Sequence, residues 1–307
     1  MNHISIIIPS YNGEGQLKGL LPSFYVAKSE STEFEILIVD NNSHDDSEKY
    51  VKGNFPDIQF IKLSSNRGFT GACNAGAKVA KGEYLLFLNN DCHITKEAID
   101  TMIQFLENSK ELVATQPIVY KRKMKDENIV SLMSKVESQK MEIKSLGEIE
   151  NIGFVVDLSI GKAQAVAKVE DTPLPLSRGD LFTPFSLPTS HTFYGLSGTC
   201  LMIRKDIFKT VGMFDESFHS YHEDVDLAFR LTKAGYMYAP CLDAVCYHEH
   251  MATSSKMGSY KQRRDFLNWI RIIYKHYPHS YIIKHFPTLF VERLRNLNGV
   301  VKKLIKS

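Results

Sequence analysis

Apolar positions in the first third of the chain follow two alternating periods. Ile4-Ser5-Ile6-Ile7-Ile8 is a short β-branched run closed by Pro9, and its near-continuous apolarity predicts a strand buried on both faces. The pattern returns in Glu35-Ile36-Leu37-Ile38-Val39, at 58–63, and in Tyr84-Leu85-Leu86-Phe87-Leu88. Helix-length segments lie between these runs. The clearest, 70–81, is rich in Ala and Gly, with Gly82 as its expected stop. Another begins near Thr95, with Glu97 in its first turn to favour the dipole. Strand, helix, strand at intervals of roughly 25–35 residues predicts an α/β fold built on a mostly parallel, Rossmann-like sheet flanked by helices.

In such sheets ligands bind beyond the carboxyl ends of the strands. Each predicted strand ends in small, polar or acidic residues: Tyr11-Asn12, Asp40-Asn41-Asn42-Ser43, Asn66-Arg67-Gly68 and Asn89-Asn90-Asp91. Loops are polar in general, so one such cluster says little. Four in succession predict a shared edge.

Beyond residue 120 the pattern changes. The segment 121–150 is dense in charge, and 131–144 reads either as an amphipathic helix or as a surface excursion. Residues 151–190 carry Pro173, Pro175, Pro184 and Pro188 and no period strong enough to define elements. A strand is expected over 193–203. A helix is expected over 224–234, with Leu227, Ala228, Leu231 and Ala234 on one face and Gly235 as its stop. Ala244-Val245-Cys246 reads as a short strand, and 263–307 as two helices separated near 278–287.

Composition narrows the class. The 307 residues are 43% hydrophobic and 23% charged, which excludes a disordered or collagen-like chain. Lys+Arg 37 against Asp+Glu 35 leaves a charge of +2, without the concentrated basic excess of a nucleic-acid binder. The five cysteines include no C-x-x-C pair, which argues against a disulfide framework or thiolate zinc site and for a reducing cytoplasm. The first apolar run is too short for a secretory leader, and nowhere do about 18 apolar residues run together. A cytoplasmic protein is expected, at most peripheral on the inner face of the membrane.

Three clusters carry candidate chemistry. Asn89-Asn90-Asp91 follows an apolar strand, where a carboxylate is well placed to ligate a hard divalent cation, although Asn and Asp are also common turn residues. Tyr221-His222-Glu223-Asp224-Val225-Asp226 puts three carboxylates in the first turn of a helix. Capping accounts for one or two of them, and a general base, Asp224 or Glu223, for another. Tyr247-His248-Glu249-His250 has H-x-H spacing, which rejects the H-E-x-x-H zinc proteases.

Taken in order, Ile6-Ile7-Ile8-Pro9-Ser10-Tyr11-Asn12, Val39-Asp40-Asn41-Asn42-Ser43, Asn66-Arg67-Gly68-Phe69 and Asn89-Asn90-Asp91 resemble the nucleotide-sugar half of family 2 glycosyltransferases with the GT-A fold. Ser197-Gly198-Thr199-Cys200, Val211-Gly212-Met213-Phe214-Asp215-Glu216 and Tyr221-His222-Glu223-Asp224 resemble the acceptor half, with a particular likeness to the rhamnosyltransferase-like branch. The likeness implies a GT-A domain over 1–254 (about 1–118 for the donor and 119–254 for the acceptor) and a helical C-terminal extension over 255–307. It implies that Pro9, Tyr11, Asn12, Asp40, Asn42, Arg67, Gly68, Asn74, Asn89 and Asn90 hold the nucleotide sugar. Asp91 and His248 are then the ligands of Mg2+ or Mn2+, Asp224 is the catalytic base, and Gly198 and Glu223 lie on the acceptor side. Asn89 stands where the strict D-x-D motif has its first acid, which lowers the expected cation affinity. The implied reaction is inverting transfer from dTDP-rhamnose or a UDP-hexose to a glycan hydroxyl in cell-surface polysaccharide synthesis. A nucleotide-sugar-binding scaffold without transfer is the alternative. A sugar-phosphate nucleotidyltransferase would want a basic, Gly-rich first loop, which is missing here.

Nothing in that likeness accounts for the last fifty residues. Arg293, Arg295, Lys302, Lys303 and Lys306 follow one another with no acid after Glu292, and Leu294, Leu297, Val301 and Leu304 have helical spacing. Such a helix is expected to lie on an anionic bilayer through 290–307, near a lipid-linked glycan acceptor, or to pack its apolar stripe on the domain itself or on a second copy of the chain as a homodimer.

Overall fold

The computed structural model describes residues 4–26, 34–121, 148–159, 162–165, 167, 192–249 and 260–304. The possible amphipathic segment at 131–144 lies outside them. Elements follow in the order β1 (Ile4–Ser10), α1 (Glu14–Val26), β2 (Phe34–Asp40), α2 (Ser47–Asn54), β3 (Gln59–Lys62), α3 (Gly68–Val79), β4 (Tyr84–Leu88), β5 (Cys92–Ile94), α4 (Lys96–Asn108) and β6 (Leu112–Lys121). The second half adds β7 (Glu148–Asn151), β8 (Phe154–Asp157), β9 (Lys162–Ala165), β10 (Thr192–Gly195), β11 (Cys200–Arg204), α5 (Lys205–Thr210), a 3-10 turn (Glu216–Phe218), α6 (Glu223–Lys233), β12 (Met237–His248), α7 (Tyr260–His276) and α8 (His279–Leu304).

The main sheet runs β3-β2-β1-β4-β11-β6-β12-β5, with β7 beside β6. β1 to β4 form a parallel set, with β1 and β4 buried on both faces and β3 a more exposed edge strand, whereas β11 is antiparallel to both β4 and β6. Side chains alternate between two cores, as a period of two demands. Ile7, Leu37, Phe87 and Leu201 face α3, α6 and α7, whereas Ile6, Ile8, Ile38, Leu86 and Met202 face α1 and α4. Order along the sheet also fixes its shape. Leu88 and Cys92 end and begin strands that three others separate, about 19 Å apart in a flat sheet at roughly 4.8 Å per strand. Four residues span at most about 14 Å, so the sheet must curl to let the 89–91 turn close over it.

Local rules explain several element ends. Thr95 caps α4 by accepting from the Ala98 N–H at 3.1 Å. Gly235, at φ +79°, ends α6 in the left-handed conformation expected of a C-terminal glycine. Three expectations are corrected. The apolar run 193–203 is two strands in different sheets, because Ser197-Gly198-Thr199 breaks it and β10 pairs with β8 while β11 joins the main sheet. Helix α3 stops at Val79, where Ala80 turns extended (φ −53°, ψ 135°), three residues before Gly82. Pro287 lies inside α8 rather than ending a helix.

The core between α3, β4 and α5 is aromatic. Phe214, 2% exposed, sits with ring centroids 5.0 Å from Phe87, 5.1 Å from Phe208 and 5.8 Å from Phe69. Phe214→Ala should cost about 3–5 kcal/mol of stability through lost packing and the cavity left behind. Denaturant unfolding with an unchanged slope and a lowered midpoint is the expected result.

Candidate functional site

The ends of β1, β2 and β3 are stitched together by short side chains. Asn12, at φ +47°, receives the His44 N–H on Oδ1 at 2.9 Å and donates its own N–H to Ser43 Oγ at 2.8 Å. Asp40, 1% exposed, accepts from the Ser43 N–H at 3.0 Å through Oδ2 and leaves Oδ1 buried without a hydrogen-bond partner. That oxygen is an acceptor awaiting a donor such as an imide N–H. Pro9, Tyr11 and Asn42 line the same edge half-exposed, with Asn42 left-handed at φ +66°.

Asn41, beside the expected Asn42, does more of the structural work. It accepts the Arg67 N–H at 3.1 Å and donates to the Gly68 carbonyl at 2.9 Å, fixing the N-terminus of α3 against β2. Arg67 is held by Glu216 at 2.6 Å. Asn74 has an internal role: it is 2% exposed, and its amide is taken by Phe214 and Glu216. It therefore shapes the support of Arg67 and turns no group toward a ligand. Gly13 is the other residue missed in the sequence. A Cβ there would meet Ser10 Oγ at 2.4 Å and Asn90 Nδ2 at 2.5 Å, and these two atoms are themselves bonded at 3.2 Å.

Pairing of β5 with β12 sets His248 opposite Cys92 and so beside Asp91. His248 Nε2 lies 3.2 Å from Asp91 Oδ1, and Nδ1 lies 2.8 Å from Glu150 Oε2 on β7. Burial disfavours charge on His248, but the hydrogen bonds to Asp91 and Glu150 outweigh it and push the imidazole up to about 10. Ligand atoms of Asp91, Cys92 and His248 lie within 4.8 Å of one another, a donor set that fits one divalent cation. Glu150 then orients the imidazole, as carboxylates behind metal-binding histidines commonly do. Nothing in the sequence around Glu150 signals this.

The Ser197-Gly198-Thr199 loop joins that turn to the acids of α6. The Thr199 carbonyl accepts the Asn89 N–H at 3.1 Å, and the Gly198 N–H donates to Asp224 Oδ2 at 3.0 Å. Buried Gln116 accepts the Ser197 N–H and anchors the loop from below. Asp224 Oδ1 also accepts the Val225 N–H at 2.8 Å. Its neighbour Glu223 is 7% exposed, with Oε2 buried and without a hydrogen-bond partner. Burial, then the adjoining Asp224 charge, push Glu223 up to about 8, and burial raises Asp224 as well. Asp224 has the N–H groups of Gly198 and Val225 to stabilise its anion where Glu223 has only its own, so the pair carries its charge on Asp224 and its proton on Glu223. The third acid of the cluster, Asp226, is structural: fully buried, it takes Arg230, Lys275 and His276 at 2.7–2.8 Å.

Known proteins resemble this chain in sequence and in fold. The model of glycosyl transferase family 2 matches residues 5–169. The glycosyltransferase YfnE of Bacillus subtilis is 26% identical over 269 residues, covering 82% of this chain and 66% of its own length. The poly(ribitol-phosphate) beta-N-acetylglucosaminyltransferase TarS of Staphylococcus aureus is 33% identical over 110 residues, 35% of this chain and 19% of TarS. The chain thus spans just under two thirds of YfnE, and its match to TarS is confined to a fifth of that protein. The crystal structure of GalNAc-T7 with UDP, GalNAc and Mn2+ superposes with a TM-score of 0.61 at 15% identity, over 89% of this chain and 48% of that one, which shows a common GT-A fold. The family model runs from β1 through the Asp91 turn to the β8–β9 hairpin, over half of the sequence, and on that extent this chain belongs to glycosyl transferase family 2.

Proposed function

We propose that the protein is a metal-dependent inverting glycosyltransferase that moves a sugar from a pyrimidine nucleotide-diphosphate donor to a glycan hydroxyl. The observation that carries this reading is the continuous link from Asp91 and His248, through the Thr199 carbonyl and Gly198 N–H, to a charged Asp224. The unpartnered Asp40 Oδ1 supports a uracil or thymine base, whose imide N–H it would accept. Arg67 and Gly68, tied to the end of β2 through Asn41, would hold the nucleotide sugar together with Asn89 and Asn90 at the end of β4.

Asp91 and His248 would hold the cation, which supplies charge neutralisation on the donor diphosphate. Asp224 takes the proton of the acceptor hydroxyl as that oxygen forms its bond to C1. The C1–phosphate oxygen bond breaks on the opposite face, and its electron pair leaves with the diphosphate. Glu223, protonated, sits beside Asp224 without competing for that proton, and Gly198 keeps the base aimed at the acceptor side. The imidazole nitrogen of His248 in the donor set favours Mn2+, a transition metal, over Mg2+. TarS and GalNAc-T7, named for transfer of N-acetylhexosamines and the latter solved with UDP and Mn2+, support a UDP-hexose donor beside dTDP-rhamnose. Release of nucleotide from a panel of donor sugars, each with Mn2+ and with Mg2+, tests the reading. Turnover with none of the pyrimidine donors would overturn it.

The acceptor side points to a surface. No helix among the described residues is long and apolar enough to cross a membrane. Along α8, Ile283, Phe286, Phe290, Leu294, Leu297 and Val301 recur at steps of three and four and are 41–77% exposed. Arg293, counted in the sequence with the basic face, is instead only 9% exposed and stacks over Trp269 at 5.4 Å. Arg295, Lys302, Lys303 and Lys306 remain as the basic complement. This stripe supports peripheral contact with an anionic bilayer carrying a lipid-linked glycan, each basic residue adding about 1 kcal/mol near the surface. Sedimentation with anionic vesicles should be salt-sensitive and lost in a Phe290→Ser/Leu294→Ser/Leu297→Ser variant. Unchanged sedimentation with a change in oligomeric mass would assign the stripe to a second copy.

A further inference from the structure

The residues that introduce Glu223 and Asp224 adopt backbone conformations that few L residues take up. His219, Tyr221 and His222 lie at φ +62°, +68° and +68°, three left-handed residues in four, none of them Gly, Asn or Asp. A segment of this kind persists only where its surroundings over-determine it. On one side it meets α3, where the His219 carbonyl accepts the Thr70 N–H at 3.2 Å and would sit 2.2 Å from a Cβ at Gly68. On the other side it meets α7, in the C-terminal extension.

Asn268 of α7 is completely buried, and its Nδ2 lies 3.1 Å from the Phe218 carbonyl, 2.9 Å from that of Ser220 and 2.7 Å from that of Tyr221. Its Oδ1 accepts from Arg271 Nη1 at 2.9 Å, which fixes which end of the amide faces the loop. Around this centre, His222 Nε2 pairs with Asp265 at 2.8 Å and its ring lies 5.1 Å from Trp269, while Tyr260 Oη meets His219 Nδ1 at 2.7 Å. Four side chains of α7 thus converge on the five residues 218–222, and a single amide reaches three of their carbonyls.

We propose that Asn268 is a positioning residue for the reaction: it holds the 218–222 loop in its left-handed form and so sets where α6 begins and where the Asp224 carboxylate stands. The inference rests on the reading of Asp224 as the base. It gives the extension a part in catalysis that its sequence does not announce. Without the amide, three carbonyls lose the two N–H groups they share, the loop relaxes toward ordinary φ values, and the first turn of α6 shifts against Gly198. The nucleotide edge at β1 and β2 shares no contact with Asn268 and keeps its shape.

The test is Asn268→Ala in the full chain. We expect kcat to fall about 10- to 100-fold, the scale of a misplacement near 1 Å, while the affinity for UDP and dTDP changes less than about twofold. Hydrogen exchange should quicken in peptides covering 216–226 and stay unchanged in β1 and β2. Arg271→Met, which leaves the amide in place but free to turn, should move both readouts in the same direction by less, and it decides the matter if Asn268→Ala does not fold. Wild-type kcat and wild-type exchange in either folded variant would overturn the proposal, as would equal losses of kcat and nucleotide affinity. A wild-type chain that transfers no sugar would defeat the functional reading instead, and the exchange measurement would still report on the clamp.

Discussion

Asp224→Asn should lower transfer at least ~100-fold while donor binding persists. Asn keeps the shape of Asp, and its one remaining oxygen still accepts from either the Gly198 or the Val225 N–H, so one of the two contacts at 3.0 and 2.8 Å survives while the proton acceptor is lost. Glu223→Gln separates the two acids. Burial holds Glu223 protonated up to about pH 8, so a neutral amide reproduces its working form, and turnover near pH 7 should stay close to that of the unaltered chain. The difference emerges in alkali. A carboxyl whose pKa is raised on folding binds its proton more tightly in the folded state, so stability falls as pH rises from the ordinary Glu range to about 8. Thermal melts from pH 6 to 9 should therefore show the Glu223→Gln variant gaining on the parent as pH increases. Full activity in Asp224→Asn, with Glu223→Gln inactive, would transfer the base to Glu223.

Removal of the divalent cation should abolish turnover, and Mn2+ should restore it at lower concentration than Mg2+. Asp91 is the carboxylate among the three clustered ligand groups, and Asn89 contributes only a neutral amide, so Asp91→Ala removes most of the local negative charge that holds the ion. Nucleotide and Mn2+ affinities should fall together in that variant, measured by calorimetry and by the electron-spin signal of free Mn2+. Glu150→Gln should weaken Mn2+ binding about 10-fold or more, because His248 loses the partner that orients it. Full activity in excess chelator would exclude a cation from the reaction.

Much of the donor side was legible in advance because its signals are local. Apolar runs ending at Pro9, Asp40 and Asn89 mark parallel strands, and the fold places those ends along one edge. The family likeness rested on the same short pieces and is carried by the match over 5–169. Other features depend on pairings distant in sequence and leave no local trace. Glu150 reaches His248 because β7 lies beside β6 and β6 beside β12. Gln116 reads as one more position in an apolar strand, yet it holds the Ser197 loop. Asn268 sits among the charges of an amphipathic helix. The break within 193–203 was written in Ser197-Gly198-Thr199, but the apolar residues on either side dominated the period. Arg293 shows the opposite error: its charge suggested solvent, whereas its position on α8 faces Trp269.

The strand order has a consequence for how the protein is made. The 89–91 turn leaves the ribosome with β4 and β5, but the strands it straddles, β11 and β12, belong to the far half of the chain. Until they arrive, Asn89 has no Thr199 carbonyl to bond and Asp91 has no His248 beside it. A nascent chain that ends after β6 carries the loops of β1 and β2 and the Asp91 turn, while His248 and Asp224 are still to be synthesised. On the proposed reading of the site, capture of donor would precede the capacity to cleave it, and a half-made polypeptide would spend no activated sugar on water.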